Sequence, residues 1–436
     1  MDNSTTTGKK NCQNDYVIQR LKLKSEFSRN VLTLMTGTTI AQAIPIAISP
    51  ILTRMYTPED FGLLALFLVL CSILSIIATG RYEMAIMSSE SDDEAKQIVF
   101  LSILVAAFTF SITSTLIWFF DTEIVLLLGN SEIKNWLYAV PFMILFYGTY
   151  QSIDYWLNRQ KKYRRMSENK LIQVGSVSIL QLIIGLLSKS GLIFGSICGW
   201  IFSIFVVFKR SRIKYSDFRL KESKKVLLKH KDYPLFQAPS SVLNSIATES
   251  PVIFISRSFL DATVGFFSLV LRTLNAPSAL IAKSMGQVYF QRVSEHANSS
   301  PHLLLSDIYS VAFKLSLLSL ILFLPIVFFG PELFSIIFGK EWFQAGLYAQ
   351  ILVYSIALKF VVSPLSTIFF AIDKIKVASS WQLAYFVVTI SVLVIATSLE
   401  FEKFLWVYVF SDIIMYLLYF LLIIRTTKKY VTMSSL

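Results

Sequence analysis

The sequence predicts an all-α, polytopic membrane protein of about twelve transmembrane helices in two six-helix bundles, with both termini cytoplasmic. Three observations predict it. The chain of 436 residues is 54% hydrophobic and only 16% charged, whereas soluble globular chains carry roughly 25% charged residues. Its apolar residues fall into runs of about twenty, the length that crosses a hydrocarbon core of ~30 Å as a helix. Segments of the first half recur in the second.

Breaks between apolar runs place spans at 31–53, 62–80, 98–120, 136–156, 170–188, 191–208, 236–256, 263–283, 310–330, 346–371, 378–398 and 404–424. Spans five and six are separated only by Ser188, Lys189, Ser190 and Gly191. The corresponding organisation is a polar N-terminus (1–29), a first bundle (30–208), a basic linker (209–235), a second bundle (236–424) and a tail (425–436). Residues 16–27 place Val17, Ile18 and Leu21 on one face, which fits a short interfacial helix. The hydrophilic first 29 residues hold no apolar segment with a small-residue cleavage site, so the first span is expected to be retained.

The net charge of +12 could suggest nucleic acid, but the location of the bases argues otherwise. With the N-terminus cytoplasmic, most of the 40 Lys and Arg fall in cytoplasmic loops and tails, and the opposite loops hold only 6. That asymmetry sets both termini inside. Ten lie between Lys209 and Lys231 and five between Arg159 and Arg165, where they would meet anionic headgroups. No aromatic or base-reading residues are interleaved with them, so no nucleic-acid partner is expected.

The internal repeat aligns ILTRMYTPEDFGLLAL (51–66) with FISRSFLDATVGFFSL (254–269), pairing Arg54 with Arg257 and Gly62 with Gly265. LLGNSEIKNWLYA (127–139) aligns with IFGKEWFQAGLYA (337–349) at nearly the same offset. Halves of six spans each insert in the same orientation, which puts a site near the midplane between them, reached from each side in turn.

Polar residues recur at helical spacing on the spans that would line such a site. Span four carries Tyr147, Tyr150, Gln151, Asp154, Tyr155 and Asn158; span seven Ser241, Asn244, Ser245, Thr248 and Glu249. Span eight carries Gly265, Ser268, Arg272, Asn275 and Ala279, and span ten Ser355, Lys359, Ser363 and Ser366. Span twelve has Tyr408, Asp412, Tyr416 and Tyr419, span two Ser72, Ser75, Thr79 and Glu83, and span one Thr38, Gln42 and Ser49. Small and hydroxyl residues also serve close helix packing, so such stripes alone do not decide for a cavity. Glu249, Arg272, Lys359 and Asp412 shift that balance: each charge facing lipid would cost roughly 2.5–3.5 kcal/mol, so they face inward, either as ion pairs or as a hydrated path. Arg54, Arg257, Arg81 and Glu83 sit near span ends, where snorkelling competes with function.

No catalytic constellation is visible, and no enzyme activity, cofactor or metal is expected. His230, His296 and His302 fall in predicted cytoplasmic loops without ligand spacing, and there is no Walker motif. Cys12, Cys71 and Cys198 show no paired spacing and suggest no disulfide.

The stretches RNVLTLMTGTTIAQAIPIAISPILTRMYTPEDFGLLALF (29–67), ATGRYEMAIM (78–87), YWLNRQKKYRRM (155–166) and VGFFSLVLRTLNAPSALIAKSMGQVYFQRVSE (264–295) carry a resemblance. The chain resembles the polysaccharide-transporter branch of the multidrug/oligosaccharidyl-lipid/polysaccharide exporter superfamily, close to Wzx-type O-antigen flippases; twelve spans fit that branch better than the lipid II flippase branch. The resemblance implies two six-helix bundles forming a V-shaped central cavity, and translocation of an undecaprenyl-pyrophosphate-linked oligosaccharide from the cytoplasmic to the periplasmic leaflet of a bacterial inner membrane. It further implies membrane lipids as surroundings, and a polysaccharide polymerase and chain-length regulator as partners. Carried onto this sequence, it makes Arg272, Lys359 and Arg81 candidates for holding the anionic headgroup. Glu249, Asp412 and Glu83 become candidates for ion coupling, and Gln42, Asp154, Asn244 and Asn275 line the cavity. A cation-coupled drug or metabolite antiporter of the same superfamily, and a non-transporting scaffold of a polysaccharide assembly complex, are the alternatives.

Overall fold

The structure, a computed structural model, describes residues 36–434 except 189 and 212–219. The helix expected at 16–27 and Cys12 lie outside the described residues.

Every regular element among the described residues is helical, and twelve helices reach 18 residues or more. They are α1 (36–55), α2 (Pro58–Ser75), α3 (Asp92–Leu128), α4 (Val140–Arg159), α5 (Tyr163–Gly185) and α6 (Gly191–Ser211), then α7 (Ala238–Ser258), α8 (Asp261–Ser299), α9 (Leu304–Phe338), α10 (Phe343–Leu365), α11 (Ile375–Ala396) and α12 (Phe401–Ser434). Seven of them, α2, α3, α6, α9, α10, α11 and α12, are long and apolar enough to cross a membrane, with mean hydropathy from 1.7 to 2.4. Polar residues along α1, α4, α5, α7 and α8 dilute the hydropathy of these five. Counting them as spans gives the twelve expected from the sequence, a number that length and composition establish for seven.

Local chemistry fixes the helix ends. At the start of α2, Thr57 and Asp60 form a capping box: the Thr57 N–H donates to Asp60 Oδ2 (3.0 Å), the Asp60 N–H to Thr57 Oγ1 (3.4 Å), and Pro58 takes the first turn. Gly129 at φ +74° ends α3 in the left-handed region.

Several helices outrun their hydropathy signal. α3 has 37 residues, about 55 Å at 1.5 Å per residue, and so projects well beyond a ~30 Å core. α8 continues to Ser299, carrying His296 on a helix instead of a loop, where its Nδ1 meets Asp307 Oδ2 at 2.5 Å. α12 runs to Ser434 through the segment expected to be a tail. The basic linker is also partly helical, with an amphipathic helix at Leu220–Lys229 and a π-turn at Tyr233–Gln237 leading into α7.

α3 kinks at Phe120 (φ −122°, ψ 23°) and α9, its counterpart in the second half, kinks at Phe329 (φ −126°, ψ 24°). α2 to α6 pack among themselves, as do α7 to α12, and α2 crosses α7 and α8 between the halves. α5 and α6 form the closest hairpin, where Gln181 Nε2 donates to Leu192 O (3.1 Å) and Ser196 Oγ (2.8 Å).

The outer surface is apolar because its solvent is lipid. Trp118, Phe119, Phe313 and Ile336 are more than 70% exposed. α11 is an extreme case: it packs on α7 and α12, while Leu383, Val387, Val394 and Ile395 face outward.

Candidate functional site

The repeated segments meet at one end of the molecule and join the halves there. Gly62 and Gly265 lie at the crossing of α2 and α8, where a Cβ on Gly265 would sit 1.7 Å from the Pro58 carbonyl oxygen. The Arg54 guanidinium donates to Pro50 O (2.5 Å), Ile337 O (2.9 Å) and Ile336 O (3.3 Å), covering carbonyls that α9 leaves open at its C-terminus. Trp342 Nε1 donates to Thr53 O (3.0 Å) from the same direction. Across the pseudo-symmetric position, Ser256 Oγ donates to Leu128 O (2.8 Å) and Asn130 Nδ2 to Asp261 Oδ1 (2.8 Å). Each half thus holds the helix ends of the other.

Away from this closed end, a cavity of about 610 Å³ opens among α7, α8, α10, α11 and α12. Asn244, Thr248 and Glu249 line it from α7, Arg272 and Asn275 from α8, and Ser355, Lys359, Ser363 and Ser366 from α10. Trp381, Gln382 and Tyr385 of α11 and Tyr408, Tyr416 and Tyr419 of α12 complete the wall. Toward the other end of α7 it continues into a polar cavity of about 470 Å³, which shares Asn244, Thr248, Glu249 and Gln382 and adds Arg81, Gln237, Ser241 and Ser245. The whole polar stripe of α7 faces this continuous space.

A further cavity of about 430 Å³ lies among α1, α2, α4, α5, α6 and α8. Its lining is mainly apolar, with Phe61, Leu64, Leu68, Val174, Val177 and Trp200, but it also holds Lys170, Gln173 and Arg272. Arg272 therefore belongs to both cavities and stands where the two halves meet.

The four intramembrane charges behave differently. Lys359 Nζ pairs with Asp412 Oδ2, and Tyr385 donates to Asp412 Oδ1 at 2.8 Å. The ammonium also lies 5.4 Å from the Tyr416 ring centroid and 5.9 Å from those of Tyr385 and Tyr408. Breaking so enclosed a pair from one side would leave an uncompensated charge, at a cost of about 3–5 kcal/mol. Asp412 is only 3% exposed, does not line the cavity that Lys359 borders and holds Lys359 from behind. Glu249 lines the space and accepts from Ser72 Oγ at 3.1 Å, a contact between α7 and α2. No acid is in ion-pair range of Arg272 among the described residues.

Arg81 and Glu83 sit in the irregular turn after α2. Arg81 adopts φ +62°, lies 3.6 Å from Glu83 Oε1 and lines the polar cavity, so it is not a snorkelling end residue. Glu83 is fully buried, accepts from Thr79 and does not reach the space expected of a coupling residue. Of the expected lining residues, Asn244 and Asn275 do line the cavity, whereas Gln42 and Asp154 line none of these three cavities. Of the α4 stripe only Tyr147 lines these cavities, and Tyr150 packs edge-on against Trp200 (5.6 Å). Trp381, Gln382, Tyr385, Lys170 and Gln173 are lining residues that the sequence reading missed. The i, i+1, i+4 set on α11 was the available signal, hidden within an apolar run.

The sequence matches the polysaccharide biosynthesis protein family over residues 51–346. The chain belongs to that family. It is 20% identical over 357 residues to an uncharacterised membrane protein in the cps region of Klebsiella pneumoniae, covering 80% of this chain and 71% of that protein. Its fold is similar to that of the lipid II flippase MurJ in an inward closed conformation, at a TM-score of 0.71 and 15% identity over 92% of both chains. It is also similar to an inward-facing multidrug resistance MATE family transporter of the same exporter superfamily, at a TM-score of 0.63 and 15% identity over 89% of this chain and 95% of that one. The MATE multidrug transporter DinF-BH superposes at a TM-score of 0.64, with 14% identity over 90% of this chain and 94% of that one. The family and the membrane-protein relative mark a multi-pass membrane protein of polysaccharide biosynthesis, and the expected resemblance of its fold to this exporter superfamily holds.

Proposed function

We propose that the chain is a flippase that moves an undecaprenyl-pyrophosphate-linked oligosaccharide from the cytoplasmic to the periplasmic leaflet of a bacterial inner membrane. Both termini lie in the cytoplasm, two six-helix halves (30–208 and 236–424) rock about the site, and a polymerase and chain-length regulator act on the product. The observation that carries this reading is Arg272: a cation without an acidic partner among the described residues, standing between a polar, aromatic cavity and a largely apolar one. That is the placement an amphiphile with a charged junction requires, because an unpaired guanidinium inside a membrane gains most from a doubly charged ligand with oxygens for its fixed donors. With the proposed topology, the end closed by Arg54 and Trp342 is periplasmic and the polar cavity opens toward the cytoplasm, the side on which the lipid-linked unit is made.

Deleting the gene should abolish the surface polysaccharide and accumulate lipid-linked repeat units. Arg272→Gln should fail to restore export while inserting normally. Glu249, in the same cavity as Arg272, keeps the antiporter reading in play. Increased drug sensitivity with normal surface polysaccharide in the deletion strain would establish that reading and reject the flippase.

A further inference from the structure

Lys359 looks at first like a second cation for the lipid diphosphate, yet its surroundings give it other work. Its ammonium is neutralised by Asp412 and ringed by Tyr385, Tyr408 and Tyr416, whose π-faces attract the positive charge. The same pair fixes Tyr385 through its hydroxyl bond to Asp412 (2.8 Å). Next to this cluster, Trp381 and Tyr419 stack almost parallel, 7° between planes and 4.6 Å between centroids, and Phe369 stacks on Tyr419 from beyond at 5.9 Å. Trp381 and Tyr419 both border the cavity, beside Gln382, Asn244, Asn275, Ser363 and Ser366.

Flat aromatic faces set among amide and hydroxyl groups suit a neutral carbohydrate: sugar rings present apolar C–H faces that lie on aromatic rings, while their hydroxyls need uncharged donors and acceptors at the edges. A bare diphosphate gains little from such a wall, since aromatic faces repel anions. Resting on the flippase reading above, we propose that this cavity is the glycan subsite of the transported lipid. Trp381, backed by the Phe369-stacked Tyr419, and Tyr416 form its sugar-binding platform, and Lys359 is a positioning residue that orders the tyrosines without binding the diphosphate. Arg272, at the edge of the same cavity, takes the charge.

The test is binding by native mass spectrometry of the full chain in detergent, using two probes: undecaprenyl diphosphate, and the lipid-linked oligosaccharide extracted from the producing bacterium. The wild type should prefer the glycan-bearing lipid. Trp381→Leu should lose about tenfold of that preference, the scale of an aromatic contact, while binding undecaprenyl diphosphate as before. Lys359→Met combined with Asp412→Asn, which removes both charges and leaves none unpaired, should do the same. Arg272→Gln should weaken both lipids together. If the double variant instead loses undecaprenyl diphosphate as strongly as the glycan-bearing lipid, Lys359 is a diphosphate ligand and its positioning role is overturned. Unchanged preference in Trp381→Leu overturns the platform. A wild type that binds neither lipid removes the flippase reading itself, an outcome separate from these two.

Discussion

Replacing Gly265 with alanine should open the end at which the two halves are joined. In an ordinary helix interior the change would stabilise the protein by about 0.8–1.0 kcal/mol, because alanine is the better helix former. Here the new Cβ would stand 1.7 Å from the Pro58 carbonyl oxygen, whereas a carbon and an oxygen approach comfortably only to about 3.3 Å. Backbone must therefore give by about 1.6 Å, and since the obstacle is a carbonyl at the start of α2, no side chain can swing aside. Overpacking of this kind costs about 1–3 kcal/mol, and a full backbone clash belongs at the upper end. Because α8 stays helical in both arrangements, the propensity gain cancels between them, and the closed arrangement loses about 2–3 kcal/mol, a factor of about 30–160 in its population. Gly62→Ala meets the Asp261 carbonyl oxygen at 2.6 Å and should act in the same direction but less strongly. Pulsed electron resonance between spin labels at Asn135 and Glu341, exposed positions on the two halves at this end, would read the opening. Unchanged label distances together with full export in Gly265→Ala would refute the idea that this crossing seals the protein.

The remaining hydrogen bonds at the same end should contribute in smaller steps. Arg54→Gln removes three contacts to carbonyls from an exposed guanidinium and should weaken closure by about 1 kcal/mol, visible as a modest broadening of the same distances. Trp342→Phe keeps an aromatic ring but loses the indole N–H and strands the buried Thr53 carbonyl, costing about 1–3 kcal/mol for the lost partner and lowering the melting temperature in detergent. At the opposite end, Lys229 of the linker helix reaches Glu90 and Glu94 at 2.8 Å each, and His230 reaches Glu94 at 3.1 Å. Glu94→Gln should loosen the segment 220–231, seen as faster tryptic cleavage there. Hydrogen bonds to Glu90, then Glu94, raise the Lys229 pKa above its usual 10.5. The latch should thus be intact below about pH 10.5 and be lost as pH rises through the raised value, which hydrogen exchange of the linker helix would follow.

Run length and charge asymmetry made the helical membrane class legible, and the repeat pointed to Gly62 and Gly265 as equivalent positions before their crossing was seen. The stripe on α7 likewise faces one continuous space. Hydropathy failed at helix ends because it records where lipid stops and not where hydrogen bonding stops, so α8 and α12 run on unseen. It also could not reveal the kink at Phe120, which has no proline near it, whereas Phe329 lies between Pro325 and Pro331. Most of what was missed at the site concerns rotation about helix axes. Asp412 shares a stripe with Tyr408, Tyr416 and Tyr419, yet it alone turns behind Lys359, and Trp381 reads as one more apolar residue until α12 is placed against it. Pairing between helices distant in sequence leaves no period in either one.

α11 separates the cavity from the bilayer with a single layer of side chains. Trp381, Gln382 and Tyr385 border the interior, Leu383 and Val387 border lipid, and within the helix there is almost nothing else. A wall so thin, held on its flanks mainly by α7 and α12, takes the lateral pressure of the acyl chains directly. Membrane thickness and chain packing therefore act on the width of the cavity as a mechanical load, and the same protein should work at different rates in bilayers that differ only in their lipids.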